Sequence, residues 1–277
     1  MQDSAPIGCL QKAIFQGADD MKKMVGFLLG FLLLPGLCWA QNIGPGVPVK
    51  NLPGKMASPN FGIGYAFHQA EWEDADFEGH RVYGHFGAVF GDESTPNYEV
   101  FLRVGLASLE VDLGNFDGRN YKFKSDTEPM FGVGIKGMFY QGEVFGWGGV
   151  LQGLYIDSFK DSITLVDTDL NARARLNLTL EKYWEAELAF PIHARLNKDS
   201  LVYFGPMLYG SGADAVANVL VEAGDLALGG NFEDKTDEDK IIGIFAGLAL
   251  RFENVSFELE AKYKSDLSAG ALLTFAF

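Results

Sequence analysis

The stretch "VSFELEAKYK", Val255 to Lys264, decides the fold. Val255, Phe257, Leu259, Ala261 and Tyr263 take every second position, and Ser256, Glu258, Glu260, Lys262 and Lys264 fill the positions between. Successive side chains of an extended chain point to opposite faces, so this segment has one apolar and one charged face. The alternation recurs in "YWEAELAFPIHARL", where Trp184, Ala186, Leu188, Phe190, Ile192, Ala194 and Leu196 oppose Glu185, Glu187, His193 and Arg195. It recurs again in "YEVFLRVGL", with Tyr98, Val100, Leu102, Val104 and Leu106 set against Glu99, Phe101, Arg103 and Gly105.

Alternation alone fits a soluble β-sandwich as well as a barrel in a bilayer, and three further features favour the barrel. The first is a secretory signal over residues 21–40, "MKKMVGFLLGFLLLPGLCWA". Two lysines precede an apolar run from Met24 to Leu37, and the small Ala40 closes a cleavage site. Residues 1–20 carry no apolar periodicity, so Met21 is the expected initiator. The second is cysteine usage: Cys9 and Cys38 both precede the cleavage point, which leaves the mature chain without a disulfide in an oxidising compartment. The third is an apolar face rich in aromatics near strand ends (Phe61, Tyr65, Phe67, Phe86, Phe90, Trp184, Phe252, Phe277), as lipid-facing girdles require.

No segment of the mature chain is long enough for a spanning helix. The longest apolar run, Ile241 to Leu250 between Lys240 and Arg251, is about half of the roughly 20 residues a helix needs, and matches a spanning strand. The net charge of −15 argues against a nucleic-acid partner, which would need a basic stripe.

The expected fold is therefore all-β: a closed antiparallel up-and-down transmembrane barrel over 59–277, preceded by a Pro/Gly-rich periplasmic tail over 41–58. Ten segments alternate, at about 59–70, 80–91, 97–112, 128–141, 146–168, 172–196, 201–213, 239–252, 255–265 and 268–277. Eight and twelve strands are the alternatives. Connections after even strands are short, and those after strands one, three and seven read as long polar loops, the pattern of periplasmic turns and extracellular loops. In "SITLVDTDLNARARLNLTLEKYW", Ala172, Leu176, Leu178 and Leu180 share parity with Trp184 and Leu188. That reads as one continuous strand six, paired with strand five in a projecting hairpin that turns near Asp169, Leu170 and Asn171. A turn at Glu181 and Lys182 gives the twelve-strand count. Pro191 and Pro206 each remove a ladder hydrogen bond, so bulges are expected near them.

The chain ends in "LLTFAF", with Leu273, Phe275 and Phe277 in step. This ending resembles the C-terminal strand that the assembly machinery recognises in the small outer-membrane β-barrel superfamily of Gram-negative bacteria. The resemblance covers Met21 to Phe277 as a pattern rather than a motif. It implies an outer-membrane location, outer-membrane lipid and lipopolysaccharide as surroundings, and the barrel assembly machinery as a partner. It names no activity, because barrels of this size serve many.

For an enzyme, the candidates are His68, His80 and His85 with Glu71, Glu73, Asp74, Asp76 and Glu78 nearby in sequence. No ligand spacing or nucleophile motif accompanies them, so no catalytic, cofactor or metal residue is assigned. The rim carboxylates of ten-stranded outer-membrane proteases have no residue-by-residue match, and no His-Ser pair of the lipid A deacylase kind is evident. The acidic stretches "EWEDADFEGH" and "NFEDKTDEDK" offer hard oxygens to a divalent cation shared with lipopolysaccharide phosphates, or are solvated loops.

If alternation holds, the interior carries Glu99, Glu185, Glu187, Glu258 and Glu260 against Arg103, Lys136, Arg195, Arg251 and Lys262. Charges of both signs in a confined space are expected to pair. A charge-filled lumen points to a structural or surface-interaction, adhesin-like role. A small passive channel is the alternative, and a hydrolase or lipid A modifying enzyme the third reading.

Overall fold

The computed structural model describes residues 57–277 apart from 73–74, 92–96, 117–118, 168–171, 224–225, 238–240 and 264–266. The signal segment, its cleavage point at Ala40, nearly all of the 41–58 tail and the Asp169–Asn171 turn lie outside the described residues. The strands are β1 (Ala57–Trp72), β2 (Ala75–Phe90), β3 (Tyr98–Phe116), β4 (Arg119–Lys124), β5 (Glu128–Gln141), β6 (Phe145–Asp167) and β7 (Ala172–Ala189). They continue as β8 (Ile192–Arg195), β9 (Ser200–Ala223), β10 (Leu226–Asp237), β11 (Ile241–Phe252), β12 (Val255–Tyr263) and β13 (Leu267–Ala276).

Ten strands close a ring in the order β1, β2, β3, β5, β6, β7, β9, β11, β12, β13 and back to β1. Every pairing is antiparallel, and the seam runs from Asn60 opposite Ala276 to His68 opposite Ser268. The Phe277 N–H extends it by donating to the Pro59 carbonyl at 3.0 Å. Closure leaves the wall with no open edge, the condition for a sheet to stand in lipid. β8 is β7 resumed after a break at Phe190 and Pro191, because it pairs with the same neighbours, β6 and β9. Pro191 thus interrupts the strand, whereas Pro206 sits inside β9 opposite Ile244.

The wall is inverted relative to a soluble protein. Its outside is apolar: Ile63, Val82, Leu106, Val133, Leu151, Phe204 and Ile244 are exposed, with Phe61, Phe86, Tyr98, Trp147, Tyr155 and Trp184 among them. Its inside is polar: His85, Glu99, Arg103 and Glu258 are fully buried. A soluble sandwich has the opposite arrangement, so the wall is built for a bilayer. The facing of β9, open from sequence, is settled by Leu201, Tyr203, Met207, Tyr209 and Ser211, all buried.

The ladders run further than expected. The acidic segment after strand one is not a long loop: β1 reaches Trp72, β2 starts at Ala75, and Glu71 pairs with Asp76. The third and seventh connections each contain a strand, β4 folding back on β3 and β10 on β9. Polar residues satisfy a ladder as well as apolar ones do, so pairing persists where the apolar stripe ends. On one side β6, β7, β9 and β10 rise together past the apolar belt as a four-stranded wing. For β9 from Asp214 to Ala223 this is about 33 Å of strand.

Strand β7 is continuous, as expected, but its facing is not uniform. Leu176, Leu178 and Leu180 are buried, while Trp184 and Ala186, of the same parity, are exposed. The register with β9 shifts between Glu181 and Trp184, and Lys182 there has φ 52°. A bulge of this kind places two residues against one and re-aims the chain. β6 switches face at the same level, where Ser158 and Phe159 are both buried.

Candidate functional site

The interior divides into a charged zone inside the wall and an apolar zone at its far end, away from the seam pair Asn60 and Ala276. In the charged zone the Arg81 guanidinium grips Glu185 with two bonds, Nη1 to Oε2 at 3.0 Å and Nη2 to Oε1 at 2.7 Å. The Tyr183 hydroxyl adds a third donor to Glu185. Lys262 Nζ holds both oxygens of Glu187 at 2.8 Å and lies 3.2 Å from Glu260. Gln152 joins this group, its Nε2 donating to Glu187 at 2.9 Å.

A second group hangs on Glu99. Its Oε1 accepts from His85 Nε2 at 2.7 Å and Asn60 Nδ2 at 3.2 Å, and Lys136 stands 3.4 Å from Oε2. Arg103 connects the two groups, donating from Nη1 to Gln152 Oε1 at 3.0 Å and from Nε to His85 Nδ1 at 3.4 Å. Its guanidinium also lies over the rings of Phe101 and Tyr83, at 4.5 Å and 5.1 Å from their centroids. Glycines on the inner face make room for these rings. A Cβ at Gly64 would collide with Tyr83, and one at Gly247 with Tyr203.

The structure therefore gathers Glu99, Arg103, Lys136, Glu185, Glu187, Glu260 and Lys262 into one buried assembly. Glu258 is also fully buried, with neither carboxylate oxygen hydrogen-bonded among the described residues. Arg195 and Arg251 are half-buried toward the end of the barrel that carries the β8–β9 and β11–β12 turns, with Arg251 in electrostatic reach of Glu258 and Glu99. Arg103 has Gln152 and His85 among its bonding partners, while Glu187 and Glu99 are each held by a lysine. The main omission from the sequence is Arg81. It lies inside the second expected segment, 80–91, and shares parity with Tyr83 and His85, so alternation alone makes it legible.

The histidines do not converge. His68 and His85 face the interior, but His80 is on the outer wall, where its Nδ1 meets the Tyr65 hydroxyl at 2.7 Å and its Nε2 meets Glu78 at 2.8 Å. A wall of β-sheet separates the two sets, so no single site uses all three. The side chains of Glu71, Glu73, Asp74 and Asp76 lie outside the described residues.

The apolar zone is formed by Leu109, Phe123, Met130, Ile156, Phe159, Ile163, Leu176, Leu178, Leu180, Tyr183, Ala217 and Val221. Phe159 and Tyr183 pack edge to face at 5.9 Å. The wing curls its apolar face inward against the β3–β4 hairpin, and Lys124 N donates to Asp161 Oδ2 at 2.6 Å where β4 meets β6. Among the described residues, the far end of the interior is lined by this buried hydrocarbon cluster.

Leu273 and Phe275 point outward from β13, and Phe277, one residue past its end, is exposed in step with them. The ring, the inverted wall and the polar interior together define a small transmembrane β-barrel of the outer-membrane type. No family model matches the chain, and no curated protein matches it. Solved structures that it resembles are barrels. The translocator domain of the autotransporter NalP from Neisseria meningitidis has 9% identity and TM-score 0.44, over 81% of this chain and 89% of that one. The outer-membrane protease OmpT from Escherichia coli has 9% identity and TM-score 0.38, over 80% and 96%. The toluene transporter TodX from Pseudomonas putida has 9% identity and TM-score 0.38, over 79% and 89%. Likeness at this level bears on neither activity nor partner.

Proposed function

We propose that the chain is a non-enzymatic protein of the bacterial outer membrane with a structural and surface-interaction, adhesin-like role, its lumen closed to steady flow. The signal over 21–40, cleaved after Ala40, exports it, and the row Leu273, Phe275 and Phe277 serves as its assembly signal. The seam end faces the periplasm and the wing stands outside the cell among lipopolysaccharide.

The observation that carries this reading is the set of ion pairs in the lumen. Arg81 with Glu185 and Lys262 with Glu187 cross it between strands that are not neighbours, Lys136 with Glu99 joins the adjacent strands β5 and β3, and all six side chains are at most 4% exposed. A barrel of about eight strands is just filled by its side chains, and open aqueous channels belong to barrels near sixteen. Ten strands filled with paired charges and capped by hydrocarbon leave no wide path. Purified protein in planar bilayers is expected to show little or no steady conductance. Large, stable, ion-selective steps from the unaltered protein would overturn the reading in favour of a passive channel.

A further inference from the structure

Strand β10 is the outer edge of the wing. Among the described residues it pairs with β9 alone, from Leu226 opposite Ala223 to Asp237 opposite Gly212. Its other edge offers a row of backbone donors and acceptors. Such edges are normally blunted by proline, lysine, a bulge or extreme shortness. β10 is 12 residues long, its register with β9 is uninterrupted, and Leu226 to Phe232, "LALGGNF", contains neither charge nor proline. Both faces of this half are exposed: Leu228 at 61% and Phe232 at 37% on one side, Ala227 and Asn231 on the other.

We propose that β10 is a β-augmentation edge whose partner is β10 of a second copy of this chain, joined antiparallel about a two-fold axis at Gly230. The pairing rests on the reading that the wing stands outside the cell, and names what it engages there. The sequence around Gly230 is suited to self-pairing. This axis sets Leu228 of one copy directly opposite Phe232 of the other, twice, so each exposed apolar side chain gains a cross-strand partner. Gly230 stands on the axis opposite its own copy and Gly229 opposite Asn231, so no bulky side chain crowds either face at the centre.

Symmetry then fixes where the second copy is. The two-fold axis relating antiparallel strands is perpendicular to their sheet. Two barrels inserted the same way in one membrane share an axis along the membrane normal, which would require the wing to lie flat. β9 instead runs as one strand from Ser200 in the wall to Ala223 in the wing, so the wing continues the wall and stands off the membrane. The axis that remains is parallel to the membrane, and it joins copies in two apposed outer membranes. The wing is thereby a homophilic cell-to-cell contact.

The test uses the full chain, purified from outer membranes and reconstituted into phospholipid vesicles, with the unsubstituted protein as the thiol-free control. In Gly230→Cys the two thiols face each other across the axis, within the 4.4–6.8 Å Cα range of a disulfide. In Leu228→Cys they are offset by four residues, about 13 Å, and out of reach. Two vesicle populations carrying differently tagged Gly230→Cys protein are expected to clump when mixed and to give mixed-tag disulfide dimers. Leu228→Cys is expected to give at least tenfold fewer. The double substitution Leu228→Lys and Phe232→Lys is expected to abolish clumping while leaving the heat-dependent gel shift of the barrel unchanged, since β10 is outside the ring. Dispersed vesicles, equal cross-linking at both positions, clumping that survives the lysines, or dimers formed only within one population would each overturn the proposal. A membrane-impermeant maleimide on intact cells separates the two readings. Labelling of Gly230→Cys without cross-linking removes the self-pairing alone, and absence of labelling removes the surface reading beneath it.

Discussion

Two parts of one interior are held by opposite physics. Inside the wall, Arg81, Glu99, Arg103, Lys136, Glu185, Glu187 and Lys262 are buried by bonding to one another and to Tyr183, Gln152 and His85. Beyond it, Phe123, Phe159, Ile163, Leu176, Leu178 and Leu180 exclude solvent because they have nothing to offer it. The same strands, β6 and β7, supply both. What differs is the outer face: apolar around the charged zone, with Leu151, Tyr155 and Trp184 exposed, and polar around the apolar one, with Lys160, Arg173, Arg175 and Asn177 exposed. A strand in lipid can afford its polar residues only inside, whereas the wing, in water, reverts to the arrangement of a soluble sheet with apolar residues in. The bulge at Lys182 lies where β7 passes from one rule to the other.

The comparison is broken most severely in the charged zone. Arg81→Ala strips Glu185 of both guanidinium bonds and leaves a buried carboxylate, a loss of about 3–5 kcal/mol. The measurement is urea unfolding of the barrel in lipid vesicles. If pairing rather than charge as such holds the zone, Arg81→Met with Glu185→Leu recovers most of the loss, because a well-packed apolar replacement of a buried pair is often neutral. A double variant as unstable as the single would show that neighbouring bonds, such as that from Tyr183, carry the energy.

In the apolar zone the expected effect is smaller and elsewhere. Leu178→Ala removes a buried side chain from a wing that has room to collapse, costing about 2–3 kcal/mol, the low end for such a change. The wing should become protease-sensitive while the heat-dependent gel shift of the barrel is retained. Loss of both together would mean that wing and wall form one cooperative unit.

These two zones were unequally legible in the sequence. All ten wall strands could be read because lipid demands an unbroken apolar face, and few settings other than a sheet with one apolar face sustain alternation over that length. β4 and β10 could not, since in "RNYKFK" the alternation lasts only for Tyr121 and Phe123, and in "LALGGNFEDKTD" it is interrupted by two glycines and ends at Phe232. The inward set of the wall followed from parity. The partners did not: Arg81 and Glu185 are 104 residues apart and Lys262 and Glu187 are 75 apart, so the ring must close before either pair exists. Parity puts Leu176, Leu178 and Leu180 on the wrong face because a lysine at the bulge carries none of the glycine signal that usually marks one.

That lysine provides the third test. Lys182 has φ 52°, where a side chain crowds the following carbonyl. Lys182→Ala keeps the strain and loses the 2.7 Å contact to Asp214, while Lys182→Gly loses the contact but relieves the strain. The glycine variant is expected to be more stable than the alanine variant by about 1 kcal/mol in wing unfolding. Equal stabilities would mean that β7 switches face without the strained residue.

The smallest effect belongs to the far rim, where the β3–β4 hairpin covers the apolar zone. Glu110 accepts a hydrogen bond from Lys122 Nζ at 2.8 Å, and Lys124 lies 3.5 Å from its other oxygen. The Lys122 bond, with help from the charges of both lysines, holds the Glu110 carboxyl below its ordinary value of 4.5. A carboxyl depressed by folding contributes stability that is complete above its unfolded value, and the contribution is lost as pH falls through the folded value. The hairpin should thus be indifferent to pH above about 5 and loosen progressively below about 4.5. Both lysines are largely exposed, so solvent screening keeps the whole effect under about 1 kcal/mol, and smaller still in molar salt. Amide exchange over residues 119–124 reads it directly. Glu110→Gln should show the faster exchange at all pH values and lose the dependence below pH 4.5, and a dependence that persists in that variant would assign it to a different carboxylate of the rim.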